Sequence, residues 1–327
     1  MSNTGVKAVR YHEHGDEEVL RIEQKDRPTP DADEVLIEAH AASINPIDTY
    51  VRAGAIGTSD LPQTIGSDVA GVVAEIGANV IAFEPGDRVY ATCRGVLDDG
   101  TVAELCRVPA SVLAKLPKGV PFADGAAAAM TFATAWRALV TRGGIGLGDR
   151  CLVSGAAGGV GHAGVQVASA AGGTVVGLAR PDFEAFVTGL GADAVVDYRT
   201  TDLTSAITTA VGGSIDVALE SHAGTNLAAN LAALARGGRI VVIGEEEPIT
   251  FDSALSMQAK QADADLRFMS LVASAEDQRP ILEAIALRLA DGRFEPHIDS
   301  RYDLAETASA YRRLADSCVQ GAIVIDV

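Results

Sequence analysis

Lysine is nearly absent from this chain. Only five, Lys7, Lys25, Lys115, Lys118 and Lys260, stand among 26 basic residues, against 44 acidic ones, for a net charge of −18. So acidic a surface repels nucleic-acid phosphates and anionic membranes, and neither is an expected partner. Two origins fit the bias: a salty cytoplasm, where dense carboxylates stay hydrated, and a GC-rich genome that favours arginine. We favour the first. Long apolar runs are missing as well. None reaches the roughly 18–20 residues that span a bilayer, and the opening MSNTGVKAVRYHEHGDEE has no apolar stretch of the kind a secretion signal needs. Cysteine is sparse: Cys93, Cys106, Cys151 and Cys318 form no C-x-x-C pair. Three of them lie in or beside strand-like apolar segments, where a buried, inert thiol is expected. That usage suits a reducing cytoplasm without disulfides. Repeats and low-complexity tracts are absent too.

What is present is apolar and long. The chain has 327 residues, 48% of them hydrophobic, which suits two domains with sizeable cores. As far as about residue 116 the apolar runs are short: Val35-Leu-Ile37, Val69 to Val73, Arg88-Val-Tyr90, and Val102 to Val108. Turns such as Glu84-Pro-Gly-Asp87 separate them, and the pattern reads as a β-rich barrel. The texture then changes. Asp124 is placed to cap a helix running past Leu139. Strands at 151–154, 174–178, 194–196, 216–219 and 239–243 alternate with helical stretches near 182–190, 202–211 and 225–235. Such alternation predicts βαβ units on a parallel sheet, closed by a strand at 266–272. Helices at 280–290 and 303–315 follow, the second with an Asp303/Glu306 capping box, and strand 322–327 returns to the first domain.

The strongest motif is Ser154-Gly-Ala-Ala-Gly-Gly-Val-Gly161, which leaves an apolar strand and opens a helix. Glycines there let a backbone approach a pyrophosphate, and the helix start presents unpaired N–H groups to it. Ala156 stands where the usual fingerprint has glycine; its methyl fits if the turn is slightly wider. The next strand ends in Ala179-Arg180 rather than in a carboxylate. A guanidinium can grip a 2′-phosphate bidentately, so Arg180 points to NADPH, while Asp182 keeps NADH open.

Several stretches taken together resemble one family. They are Asn45-Pro-Ile-Asp-Thr-Tyr50, Gly66-Ser-Asp-Val-Ala-Gly71, Phe83-Glu-Pro-Gly-Asp-Arg-Val89, Thr134-Ala-Trp-Arg-Ala-Leu139, the glycine run with Gln166, and Val241-Val-Ile-Gly244. The chain is similar, nearly end to end, to the zinc-free, zeta-crystallin-like quinone oxidoreductases of the medium-chain dehydrogenase/reductase superfamily. The resemblance implies an α/β protein: a GroES-like β-barrel catalytic domain over residues 1–123, and a doubly wound Rossmann domain binding NADP over 124–274. A C-terminal segment, 275–327, returns to the first, and the active site lies between the domains. It also implies a homodimer joined through strand 266–272. Thr134 would face the nicotinamide, and Gly158, Gly159 and Val160 would hold the pyrophosphate by backbone N–H groups. Tyr198, beside Arg199, would lie near the adenosine phosphate, and Ile243 and Gly244 would meet the carboxamide.

Zinc-dependent members place Cys, His and Cys where this chain has Asn45, Ser67 and Met130. An amide, a hydroxyl and a thioether make no tight zinc site, so no metal is expected. Without zinc to hold an alkoxide, simple alcohols are poor substrates. Quinones and activated alkenes accept hydride readily, and the developing anion needs only hydrogen-bond donors. Tyr50 is the candidate donor. Asn45 is expected beside the nicotinamide ribose, and Asp48 is a candidate to orient Tyr50 or a water. The competing readings are an alkenal, enone or enoyl-thioester reductase, and an NADPH-binding protein without catalysis. Two further departures are Gly321-Ala322, where relatives often read Gly-Lys, and the acidic loop Glu245-Glu-Glu-Pro248.

Overall fold

In the computed structural model, residues 5–57, 60–96, 98–316 and 318–327 are described, those at 275–277 by backbone alone. Contacts divide the chain into two units: Met1–Ala133 with Leu271–Val327, and Thr134–Ser270. The first unit opens with strands β1 (Val6–Tyr11), β2 (Arg21–Lys25), β3 (Glu34–Ile44), β4 (Gln63–Thr64), β5 (Asp68–Ile76), β6 (Arg88–Ala91), β7 (Leu105–Pro109) and β8 (Ala114–Lys115). Helix α1 (Pro46–Arg52) follows β3, and α2 (Phe122–Trp136) follows β8. Long β3 is the hub, pairing antiparallel with both β5 and β7. Val35, Ile37, Val69, Val89, Val108 and Leu113 fill one core of this GroES-like unit. Each such side chain contributes about 1.5–3 kcal/mol by leaving water.

The second unit is a six-stranded parallel sheet. Its strands are β9 (Arg150–Val153), β10 (Thr174–Leu178), β11 (Ala194–Val196), β12 (Ile215–Glu220), β13 (Leu234–Val242) and β14 (Asp265–Phe268), in the order β11-β10-β9-β12-β13-β14. Helices α3 (Gly159–Ala170), α4 (Glu184–Gly189), α5 (Leu203–Val211), α6 (Ala223–Ala233) and α7 (Ser253–Gln261) connect them. Leu152, Val176, Ile215 and Ile240 from the strands pack with Ile207, Leu227 and Leu231 from the helices. Strands covered on both faces explain the near-continuous apolar runs. Chain order reverses between β9 and β12, and the crevice at their carboxyl ends is where doubly wound sheets take ligands.

The chain then re-enters the first unit through α8 (Ala275–Ala290), β15 (Ile298–Asp303), α9 (Thr307–Leu314) and β16 (Ala322–Asp326). β16 lies antiparallel to β3, with Val324 opposite Ser43. The Tyr90 hydroxyl donates to the Leu282 carbonyl at 2.5 Å, tying α8 to the barrel. Asp303 and Glu306 form the expected capping box at the turn before α9.

Three details differ from the sequence reading. Asp124 does not cap α2; the helix begins at Phe122, and Asp124 lies in its first turn. The unit boundary falls later than the change of texture, because the first turns of α2 pack on the barrel. Phe132 and Phe294 rings meet there at 5.0 Å, and the Met130 N–H reaches the Asp68 carboxylate. Strand 266–272 shrinks to Asp265–Phe268, with a 3-10 turn at Val272–Ser274. Its one neighbour among the described residues, β13, ends at Val242 opposite Phe268, so no ladder remains there for the chain to follow. Cys93, Cys106 and Cys151 are buried, and burial pushes up their thiols, to about 12 for the first two. Among the described residues no helix is long and apolar enough to cross a membrane.

Candidate active site

In the first unit, Asn45 ends the β3 segment in extended geometry, and Pro46 starts α1 with its φ already set. The Asn45 backbone N–H donates to Asp48 Oδ2 at 2.8 Å, and its side-chain Nδ2 donates to Asp68 Oδ2, also at 2.8 Å. One asparagine therefore bridges two carboxylates. Ser67 Oγ donates to Asp48 Oδ1, the Tyr311 hydroxyl to Asp48 Oδ2 at 3.1 Å, and the Met130 N–H to Asp68 Oδ2 at 3.4 Å. All six residues are buried. Burial pushes the Asp68 carboxyl up to about 8, more than its hydrogen bonds and despite its bonded amide partners, with the charge of Asp48 adding to the rise. Asp48 is pushed up to about 6, again by burial, partly countered by Ser67, Asn45 and Tyr311.

Asn45, Ser67 and Met130, the three positions that the family resemblance sets against zinc ligands, thus do meet in space. Their donor set does not fit the metal. The Asn45 amide points N–H groups at Asp68, and both Asp48 oxygens accept from protein donors. Among the described residues no group of three or more His, Cys, Asp and Glu is placed to hold a metal ion.

Tyr50 sits two residues beyond Asp48 on α1 and is 53% exposed. Residues two apart on a helix face opposite ways. Asp48 therefore does not orient Tyr50, the first of the two roles the sequence reading offered it; its carboxylate turns inward to Ser67, Asn45 and Tyr311.

In the second unit, β9 runs straight into the glycine bend. Gly155 has φ +61, the left-handed region that suits glycine. The Gly158 N–H closes the bend on the Gly155 carbonyl at 2.9 Å. That corrects the sequence reading: the Gly158 amide is spent internally, and the open N–H groups of the first turn of α3 are those of Gly159, Val160 and Gly161. A Cβ at Gly158 would meet only the Gly155 oxygen, at 3.4 Å, so the bend is open on its outer side. Ala156 needs no wider turn. Its buried methyl packs where a side chain of residue 177 would stand, and residue 177 is glycine: a Cβ there would lie 2.8 Å from that methyl. The missing fingerprint glycine has moved to the neighbouring strand.

Arg180 lies two residues beyond the end of β10, its guanidinium 4.6 Å above the Phe183 ring. Tyr198 is largely exposed after β11, whereas Arg199 forks onto Asp197 through two bonds of 2.9 Å. The Ile243 N–H is taken by the Glu220 carbonyl at 2.8 Å, and the Gly244 carbonyl accepts from Ala223 at 3.2 Å. Thr134 is buried on α2. Open amides, an exposed bend and a guanidinium at the next strand end fit a dinucleotide.

The sequence reading missed the group after β12. The buried Glu220 carboxylate accepts from the His222 backbone N–H and from Asn230 Nδ2, and burial raises its pKa. Asn226 Nδ2 donates to Ser154 Oγ at 3.2 Å, and Ser221 Oγ to the Ser154 carbonyl at 3.3 Å. These bonds pin α6 to the bend. Of the acidic loop, Glu246 accepts from Thr225 Oγ1 at the start of α6.

Comparison with known proteins places residues 31–118 in the alcohol dehydrogenase GroES-like domain family and residues 190–325 in the zinc-binding dehydrogenase family. Human quinone oxidoreductase is 33% identical over 313 residues, covering 94% of each chain. Among solved structures, a quinone oxidoreductase from Coxiella burnetii superposes with a TM-score of 0.86 at 25% identity, covering 98% of this chain and 99% of that one. A mycobacterial protein complexed with NADPH gives 0.88 at 28% identity, covering 98% and 100%.

Proposed function

Because this chain belongs to the quinone oxidoreductase family of the medium-chain dehydrogenase/reductase superfamily, we propose that it is an NADPH-dependent, zinc-independent reductase whose acceptor is a quinone. The observation that carries this reading is the closed network of Asn45, Asp48, Ser67 and Asp68. It includes Asn45 and Ser67, two of the three positions that the family resemblance sets against zinc ligands, and its donors are engaged with one another. A site without a Lewis acid favours acceptors that are already electron-poor.

NADPH, bound on the second unit, supplies the hydride. Gly159 and Val160 would offer backbone N–H groups to the pyrophosphate, Arg180 would bind the 2′-phosphate, Tyr198 would lie at the adenosine end, and the backbone at Ile243 and Gly244 would meet the carboxamide. Thr134 would face the nicotinamide. In the first unit, Asn45 acts by holding the two carboxylates and the start of α1. Tyr50 donates its hydroxyl hydrogen to the quinone carbonyl oxygen as negative charge develops there. The homodimer contact is at β14, whose outer edge pairs with no strand among the described residues and which carries the exposed Phe268.

Oxidation of NADPH across a panel of quinones, enones and simple alcohols, with and without a chelator, tests this directly. Quinones should turn over fastest, alcohols not at all, and the chelator should change nothing. Tyr50→Phe should lower kcat about a hundredfold with little change in NADPH affinity; an unchanged kcat removes Tyr50 from the mechanism. Arg180→Ala should raise the KM for NADPH about tenfold and leave that for NADH alone. Equal effects on both would move the phosphate site elsewhere.

A further inference from the structure

The crevice where strand order reverses has two banks, and the cofactor groups considered so far come from the β9 side and from the ends of β10, β11 and β13. Ser221 and His222 form the other bank, directly after β12. Their position is tightly defined. A Cβ on Gly155 would stand 3.0 Å from His222 Cε1 and 3.0 Å from Ser221 Oγ, so both side chains lie over the bend. On their far side, a Cβ on Gly244 would stand 3.0 Å from the Ser221 carbonyl oxygen, and the Ala223 N–H donates to the Gly244 carbonyl. Ser221 and His222 therefore sit between the bend assigned to the pyrophosphate and the strand end assigned to the carboxamide. In a pyridine dinucleotide, the group joining pyrophosphate to nicotinamide is a ribose.

The hydrogen bonds also bear on which nitrogen of the ring is available. Ser221 Oγ lies 3.3 Å from the Ser154 carbonyl and 2.9 Å from His222 Nδ1. A carbonyl only accepts, so the hydroxyl hydrogen goes to Ser154, and Ser221 Oγ accepts from Nδ1–H. In the neutral ring that leaves Nε2 as a lone-pair acceptor, on a residue exposed to solvent. An acceptor suits a hydroxyl donor and not a phosphate.

We propose that His222 Nε2 accepts a hydrogen bond from a hydroxyl of the nicotinamide ribose, with Ser221 as the positioning residue that sets the tautomer. The inference rests on the dinucleotide reading of the same unit. Because the nicotinamide ribose is common to both cofactors, the contact contributes equally to NADPH and NADH, and because a hydroxyl carries no charge, salt does not screen it as it would a phosphate contact.

Calorimetric titration of both dinucleotides at low and high salt tests this on the wild type, His222→Phe and His222→Gln. His222→Phe should weaken binding of both cofactors about tenfold, by the same factor at each salt concentration. His222→Gln, whose amide oxygen can accept from a hydroxyl, should recover most of the loss. Unchanged affinity in His222→Phe, on a chain with an unaltered melting temperature, would overturn the proposal. A loss that fades in high salt, or that falls on NADPH alone, would overturn it too, since each indicates a phosphate contact. Failure of the wild type to bind either dinucleotide would bring down the cofactor reading itself.

Discussion

Asp68→Asn is expected to make the protein more stable above neutral pH and to flatten its stability profile. The sign follows from the direction of the shift. Asp68 is pushed up to about 8 and Asp48 to about 6, from an ordinary 3.8, with burial as the main cause. Between the unfolded and folded values the unfolded chain has released protons that the folded chain still holds. Stability therefore falls as pH rises through that window, and levels off below about 4 and above about 8. Asparagine resembles the protonated acid in shape. Its carbonyl oxygen can still accept from Asn45 Nδ2 and the Met130 N–H, the two bonds that Asp68 Oδ2 accepts. At pH 8.5 the variant should melt roughly 5 °C above the wild type. The difference should vanish toward pH 4, and a residual slope confined below about 6 should remain from Asp48. Exposed carboxylates add their own repulsion at a net charge of −18. High salt screens those and leaves the buried pair, so the comparison belongs in 1 M salt. Melting curves in which wild type and variant run parallel from pH 5 to 8.5 would refute the buried-proton account.

A second large effect is expected at the bend, where two glycines should fail in different ways. A Cβ on Gly161 would stand 1.9 Å from the Gly155 carbonyl oxygen and 2.8 Å from the Ala156 Cα, both backbone atoms with no freedom to swing aside. Gly161→Ala should therefore cost several kcal/mol in the stability of the second unit, at or beyond the upper end of the usual overpacking range, and remove dinucleotide binding with it. Gly158 differs. Its φ of −79 is open to any residue, and an added Cβ finds nothing closer than 3.4 Å. Gly158→Ala should melt like the wild type and bind NADPH at least tenfold more weakly, because the methyl projects into the space the cofactor needs. Thermal denaturation beside a titration separates the two. A Gly158→Ala variant with full affinity would mean that the pyrophosphate does not approach the bend from that side.

Much of the second unit was legible in the chain itself. The strands at 174–178 and 194–196 coincide with β10 and β11, because a short apolar run bounded by turns marks a strand even at the sheet edge, where β11 buries only Val196 fully. The bend at Gly155 to Gly161 was legible for a similar reason: left-handed backbone and close contact both demand glycine locally. Where the reading slipped, local backbone geometry had intervened. Gly158 looked like a phosphate ligand, but its N–H closes onto Gly155. Tyr50 and Asp48 looked like neighbours in function, but α1 turns them to opposite sides.

By its own pattern the sequence determined the two textures, the alternation that makes a parallel sheet, and the glycine bend. Each of those depends on residues close together along the backbone. Tertiary structure alone decided that Asn45, Asp48, Ser67, Asp68, Met130 and Tyr311 would share one buried cluster, that Gly177 would make room for Ala156, and that Ser221 and His222 would lie over Gly155. The physical reason is that desolvation and cross-strand contact arise only when remote segments pack together, and a carboxylate has no way to show in sequence which segments will exclude its water.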